Sequence, residues 1–296
     1  MKERNAVLLL LLTSFIWGLS FVAQSVSTES IGAFTFNGIR MILGAIVLIP
    51  FAAKTLKVHI KDKVYMKKML KGGFLMGLFL GAASMTQQIG IETTDAGKAA
   101  FITSLYMIIV PFISRIFGKK IEKKIWFCAM IALIGMYMLC LSGGMSIGRG
   151  DIFLVLCAIL FSCHILVIEK VSKDSDGVEL SLFQFLFGGI MCSIGMLVFE
   201  RPDFQSIKEA SLPLAYAGFL SCGVAYTLQT VAQKYVQATK ATLALSLESV
   251  WAAIGGALIL SERLSVNEII GCALVFLAVL LAQLDVHLPN TSSQSD

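Results

Sequence analysis

Apolar residues run through this chain in ten long blocks, near residues 6–24, 30–52, 70–91, 97–117, 125–142, 151–169, 179–199, 211–233, 240–260 and 266–284, with short polar joints between them. Inside each block the apolar positions are continuous rather than alternating. A hydrocarbon layer about 30 Å thick is crossed by roughly 20 residues of helix, so each block predicts one membrane-spanning helix. Lipid offers no partner to a free backbone amide, which leaves helices and closed barrels as spanning structures, and a barrel strand would alternate in polarity. The predicted fold is therefore all-α and integral to a membrane, with ten transmembrane helices. Met1 to Arg4 ahead of a leucine run has the order of a cleaved signal peptide. The run continues through Trp17 and Phe21 without a small-x-small site, however, which predicts a retained first span. The polar end, 286–296, is predicted to be a disordered cytoplasmic tail, and its Asn290-Thr291-Ser292 sequon is discounted on that side.

Composition points the same way. A chain that is 57% hydrophobic and 15% charged would expose large apolar patches if its solvent were water. The basic residues add direction. With the N-terminus inside, one set of alternate loops carries Lys2 and Arg4, the seven lysines of 54–71, Lys119, Lys120, Lys123, Lys124, Lys170, Lys173, Lys234 and Lys240. The opposite set carries Lys98, Arg149, Arg201, Lys208 and Arg263. Seventeen against five is a positive-inside bias that predicts both termini in the cytoplasm, in a multi-pass protein of the plasma membrane. The net charge of +5 then reports topology and not a nucleic-acid partner. The 54–71 loop is either simply solvated or rests on anionic lipid.

Sliding the chain against itself by 142 residues aligns Gly81 with Gly223, Gln87 with Gln229, Lys98 with Lys240, Ser104 with Ser246 and Leu105 with Leu247. The pattern predicts two five-helix repeats, 1–145 and 146–285. Because five is odd, the second copy must insert upside down, related to the first by a pseudo-two-fold axis in the membrane plane. The corners diverge as that requires: Gly118 to Lys124 is rich in lysine, whereas Ser261-Glu262-Arg263-Leu264-Ser265 is not.

Several segments carry a family resemblance. Phe15-Ile16-Trp17-Gly18-Leu19-Ser20-Phe21, Arg40-Met41-Ile42-Leu43, Pro111, Ser246-Leu247-Glu248-Ser249-Val250, Leu260 to Ser265, and Gly271 resemble the EamA-type branch of the drug/metabolite transporter superfamily across residues 6–284. Two positions depart from its pattern: Ser249 stands where a Pro is usual, and Lys119 where a Glu is common. The resemblance implies a ten-helix inverted-repeat carrier that moves small metabolites, amino acids or drugs, often outward, through a central cavity opening alternately to each side.

Ionisable groups deep in the spans are costly unless they face a cavity or a partner, which singles out Arg40 and Glu248. They are placed to pair, or to divide between solute and protein. Arg40 is a candidate structural charge that stitches neighbouring helices. Glu248 is a candidate binding group, and a carboxyl alternately wet and dry would give proton coupling as one route, with exchange coupling the other. Helical spacing puts Thr13, Trp17, Ser20 and Gln24 on one stripe of the first span, and Gly81, Ser84 and Gln88 on one of the third. Tyr226, Gln229 and Gln233 share a stripe of the eighth, and Ala244, Glu248, Trp251 and Gly255 one of the ninth. Rings with amides suit a small amphipathic solute, while the same groups also serve as interhelical glue. Tyr106 aligns with Glu248 in the repeat and joins the candidates. His164 with Phe161 is a weaker one. Gly77, Gly81, Gly188 and Cys192 mark close helix approach, and Pro111 a kink or hinge.

The seven cysteines lie inside predicted spans without C-x-x-C spacing, so free thiols are expected and no metal or other cofactor. No phosphate-binding G-x-x-x-x-G-K-[ST] loop is present, so a carrier would draw on a gradient or on exchange. An integral membrane enzyme would need clustered acids or histidines that the spans lack. A channel or a non-transporting helper protein is the other alternative. One deep cation is poor provision for a phosphate, so the expected partner is a neutral or zwitterionic small molecule.

Overall fold

The computed structural model describes residues 1–140, 148–259 and 264–283. Among these, the chain forms α1 Glu3–Ser27, α2 Ala33–His59, α3 Lys63–Ile91, α4 Ala96–Ile116, α5 Lys123–Cys140, α6 Arg149–Asp174, α7 Gly177–Glu200, α8 Ser211–Ala232, α9 Ala238–Ile259 and α10 Val266–Gln283. All but α5 meet the length and apolarity of a membrane span, and α5 is itself apolar from Ile125 onward. A short helix, Phe204–Glu209, joins α7 to α8. The polar corner Ser261 to Arg263 and the tail with Asn290 lie outside the described residues.

Polarity is arranged inside out relative to a protein in water. Ile46, Phe51, Phe74, Phe127, Ile194 and Phe276 are exposed, whereas Arg40, Glu248, His164, Gln184 and Gln229 are buried. That is the stable arrangement when the surrounding medium is hydrocarbon and the polar groups must find their partners within the bundle.

The two five-helix repeats are inverted, and the packing shows it. α2 and α7 are counterparts that lie antiparallel, fastened at both ends. At one end the Glu200 carboxylate accepts hydrogen bonds from Phe34 N (2.7 Å), Thr35 N (2.6 Å) and Thr35 Oγ1 (2.7 Å). This supplies from α7 the cap that Gly32 cannot give to α2. At the other end His59 Nδ1 and Tyr65 OH each lie 2.9 Å from the Glu179 carboxylate. Contacts elsewhere also come in related sets: α3 with α6 and α8 with α1, α3 with α7 and α8 with α2. α5 and α10 pack chiefly on each other, to one side.

Small residues set the separations. A Cβ on Gly77 would meet Gln184 O at 2.6 Å, one on Gly188 would meet Gly77 O at 3.0 Å, and one on Gly81 would collide with Met191 Cε. On the other side a Cβ on Gly18 would meet Glu248 O at 2.8 Å, and one on Gly135 would meet Gly271 O at 2.7 Å. Apart from the Gly81–Met191 side-chain contact, these are backbone-to-backbone approaches of the kind that let helices associate in lipid without a hydrophobic driving force.

Two helices are interrupted at related positions. α4 breaks at Leu105, between Ala96–Ser104 and Tyr106–Ile116, and α9 breaks at Ser246 and Leu247, between Ala238–Leu245 and Glu248–Ile259. Both breaks fall at the point where the repeat aligns Leu105 with Leu247. Irregular backbone at that depth is tolerated only where protein or a cavity surrounds it. α8 adds a third irregularity, a widened i→i+5 turn from Tyr216 to Tyr226, a feature frequent at functional sites.

Candidate functional site

The breaks in α4 and α9 face each other and make the floor of a central cavity. Glu248, the first residue after the α9 break, accepts hydrogen bonds at Oε1 from Tyr106 OH (2.9 Å) and Ser104 Oγ (3.2 Å), which flank the α4 break. Around this pair the cavity is lined by Trp17, Ser20, Phe21 and Gln24 of α1, Arg40 of α2, Gln87 of α3 and Thr103 of α4. Phe161 and Ile165 of α6 and Ser221, Tyr226 and Gln229 of α8 complete the wall. Lining positions recur across the repeats: Gln87 with Gln229 and Tyr106 with Glu248 at a shift of 142, Trp17 with Phe161 and Phe21 with Ile165 at 144. Sites at the interface of inverted repeats, beside discontinuous helices, follow this design.

Arg40 is fully buried. Its Nε donates to Asn37 Oδ1 (2.9 Å) and its guanidinium lies 5.1 Å from the Phe36 ring centroid, while Asn37 is held in turn by Ala33 O (2.8 Å) and Ser84 O (3.2 Å). The charge is thus steadied by side chains and a ring rather than by the backbone carbonyls of other helices. Arg40 and Glu248 form no ion pair within 4.0 Å among the described residues, although both border the same cavity.

Of fifteen buried side-chain polar atoms without a partner among the described residues, five belong to this wall. Trp17 Nε1, Ser20 Oγ, Gln24 Oε1, Arg40 Nη2 and Gln229 Oε1 are buried and have no hydrogen-bond partner in the protein. An unmet buried polar atom costs about 1–3 kcal/mol, so five cost on the order of 5–15 kcal/mol. That rivals the whole stability of a typical domain. Donors and acceptors left open on a cavity wall are available to whatever the cavity admits. The space open to the centre of a water-sized sphere is about 20 Å³, enough for about one water and too little for a metabolite. In this conformation the site is contracted around its own polar groups.

Trp17, Ser20, Gln24, Tyr106, Tyr226, Gln229 and Glu248 line the cavity, as does Arg40. Gln88 and Trp251 do not. Gln88 Nε2 donates to Gln24 O (3.1 Å) and Ser27 Oγ (3.2 Å), joining α3 to the end of α1. Trp251 packs edge-on against Phe15 at 5.1 Å, on the outer side of the α1–α9 contact. Of the weaker pair, Phe161 reaches the cavity, whereas His164 stands behind it, 3.0 Å from Gln184 Oε1. Thr13 and Gln233 act as glue, bonded to Ala225 O (3.2 Å) and Ile165 O (3.1 Å). Gln87 and Thr103, which touch each other at 3.4 Å, are lining residues that stripe reasoning missed. The alignment of Gln87 with Gln229 was the signal that would have found the first. Among the described residues six cysteines are free thiols and no group of three or more metal-ligating side chains occurs.

Two ion pairs close the bundle at opposite ends, and they are counterparts. Lys98 at the start of α4 meets Asp151 at the start of α6 (2.7 Å). Lys240 at the start of α9 meets Glu3 at the start of α1 (3.1 Å). The two pairs are built to different strength: Asp151 is 9% exposed and also accepts from Gly148 N (2.9 Å), whereas Glu3 is 53% exposed. An exposed pair contributes about 0–1 kcal/mol, so the Lys240–Glu3 contact is the weaker of the two.

Comparison with known proteins places this arrangement. Residues 4–141 and 148–284 each match the model of the EamA-like transporter family. An uncharacterized transporter of Archaeoglobus fulgidus is 31% identical over 288 residues, covering 96% of this chain and 88% of its own. The uncharacterized transporter YoaV of Bacillus subtilis is 25% identical over 269 residues, covering 88% and 91%. A protein crystal structure superposes with a TM-score of 0.76 over 96% of this chain and 97% of its own at 16% identity, which shows a shared fold.

Proposed function

The chain belongs to the EamA-like transporter family, a family of multi-pass membrane transporters, and from that premise we propose that it is a secondary active carrier of a small zwitterionic or neutral amphipathic solute. The observation that carries this reading is the convergence of five unpartnered buried polar atoms on one midplane cavity that also holds Glu248. Arg40 Nη2 and Trp17 Nε1 are donors suited to a carboxylate, Glu248 is suited to an ammonium group, and Trp17, Phe21 and Tyr226 supply apolar cover. A solute bearing both charges neutralises both deep ionisable groups at once, where a purely anionic or cationic one neutralises half.

Transport then proceeds by alternating access. The contracted cavity cannot take up a solute without opening, and the paired closures at Lys98–Asp151 and Lys240–Glu3 give each side its own barrier. The lysine distribution supports a topology with both termini, and the weaker Lys240–Glu3 closure, on the cytoplasmic side of the plasma membrane. A carrier that opens more readily inward loads from the cytoplasm, which supports export. Glu248 changes partners as the cavity opens, so its proton, or exchange of one solute for another, couples the cycle to a gradient.

The test is flux in proteoliposomes using a panel of radiolabelled amino acids and their neutral analogues. Saturable uptake that follows an imposed proton gradient or an excess of unlabelled solute is expected. Uptake that is linear in solute, or indifferent to any opposing gradient, would remove the carrier mechanism.

A further inference from the structure

A second site lies away from the central cavity, with which it shares no lining residue, where the end of α4 meets the end of α6 and the start of α9. It has two adjoining compartments. One, about 510 Å³, is walled by Phe117, Leu166 and Val167. The other, about 310 Å³, is polar, with Lys120, Gln237 and Thr239. Lys119, Lys173, Glu169 and Ser114 border both.

The charge in this cleft is unbalanced. Lys119 is neutralised by its ion pair with Glu169, whose other oxygen accepts from Ala238 N (3.2 Å). Lys120, Lys170 and Lys173 have no ion-pair partner within 4.0 Å among the described residues, so about three positive charges face one cleft. At its junction Ser114 is 2% exposed and its Oγ has no hydrogen-bond partner in the protein. A buried hydroxyl left unmet beside uncompensated lysines points to an anionic acceptor. The apolar compartment narrows the class further. Phe117 is 79% exposed and follows the exposed Phe112 and Ile116 along α4, so this half of the cleft is continuous with the surface that faces acyl chains.

We propose that this cleft is a binding site for an anionic phospholipid, its phosphate held by Lys120, Lys170, Lys173 and the Ser114 hydroxyl and its acyl chain laid along Phe117 and Leu166. Basic pockets between transmembrane helices at the cytoplasmic surface bind acidic headgroups in this manner. The site ties α4, which carries half of the central floor, to α6, which carries part of its wall. It draws on the topology proposed above only for which leaflet supplies the lipid.

Lipid retention in native mass spectrometry tests it, with the detergent-purified protein offered equal phosphatidylglycerol and phosphatidylcholine. Preference for phosphatidylglycerol of about tenfold or more is expected, since each lysine near an anionic surface contributes a factor of about five. Lys120→Gln/Lys170→Gln/Lys173→Gln removes only exposed charges and should bring the preference close to parity. Ser114→Ala should lower retention of phosphatidylglycerol itself by about threefold or more, the loss of one hydrogen bond to the phosphate that both lipids carry, with the preference between them little changed. Equal retention of both lipids by the wild type, or an unchanged preference in the triple variant, would overturn the proposal. So would displacement of phosphatidylglycerol by equimolar inorganic phosphate, which would identify a free-anion site. The readout involves no transport, so its failure leaves the carrier reading standing, and the reverse.

Discussion

At the scale of single residues, Arg40 and Glu248 do different things although both are deep charges. Glu248 is joined across the pseudo-axis to Tyr106 and Ser104, whereas Arg40 offers Nη2 to the cavity without a partner. Arg40→Ala should therefore raise the KM for a carboxylated solute by about tenfold or more, the worth of one charge-assisted hydrogen bond, with less effect on an amidated analogue. Glu248→Gln keeps the shape and should lower gradient-driven flux by about tenfold or more while changing melting little; the same proteoliposome assay reads both. An unchanged KM for the acid in Arg40→Ala, or the same fold-rise for acid and amide, would remove that residue from the site. The sequence made these two legible because charge is scarce in apolar spans and stands out. Gln88 and Trp251 lie off the cavity, which the sequence could not foretell because spacing alone names a stripe but not which way the stripe faces: Gln87, one residue earlier, turns to the cavity while Gln88 turns to α1.

At the scale of elements, the spans themselves were readable from apolar runs, and their helix type follows from the lack of backbone partners in lipid. The breaks in α4 and α9 were not. No glycine or proline marks Leu105 or Leu247, and the serines there bond back to their own turns, as Ser246 Oγ does to Leu243 O (2.8 Å) and Ser249 Oγ to Ser246 O (2.8 Å), an effect that bends helices only in context. Close approach is what holds these interrupted helices in place. Gly18→Ala would drive a methyl into Trp251 and Glu248 O and should destabilise the fold by about 1–3 kcal/mol. Gly97→Ala, with nothing within 4 Å of the added Cβ, should be neutral or raise stability by about 1 kcal/mol. Thermal unfolding in detergent distinguishes the two, and equal melting temperatures would mean that α1 and α9 are not closely seated there.

At the scale of the whole molecule, the inverted repeat was present in the sequence as a shift of 142 residues, and it is the property from which the site follows. Inversion places Lys98–Asp151 and Lys240–Glu3 at opposite ends and brings Tyr106 to Glu248 in the middle. What no alignment of the halves with each other could give is the unequal strength of the two closures, because that depends on burial and on the extra bond from Gly148 N to Asp151. Alternating access, as proposed above, requires that the central cavity be reached from either side in turn. A single thiol at Ser221, a cavity-lining position, in a protein whose native cysteines are replaced, reports this directly when its labelling by a membrane-impermeant reagent is followed from each face. Labelling is expected from both faces, slowed by a transported solute, with Lys240→Gln raising the rate from the cytoplasmic face and Lys98→Gln raising it from the other. Labelling from one face alone, whatever the closure variant, would contradict it.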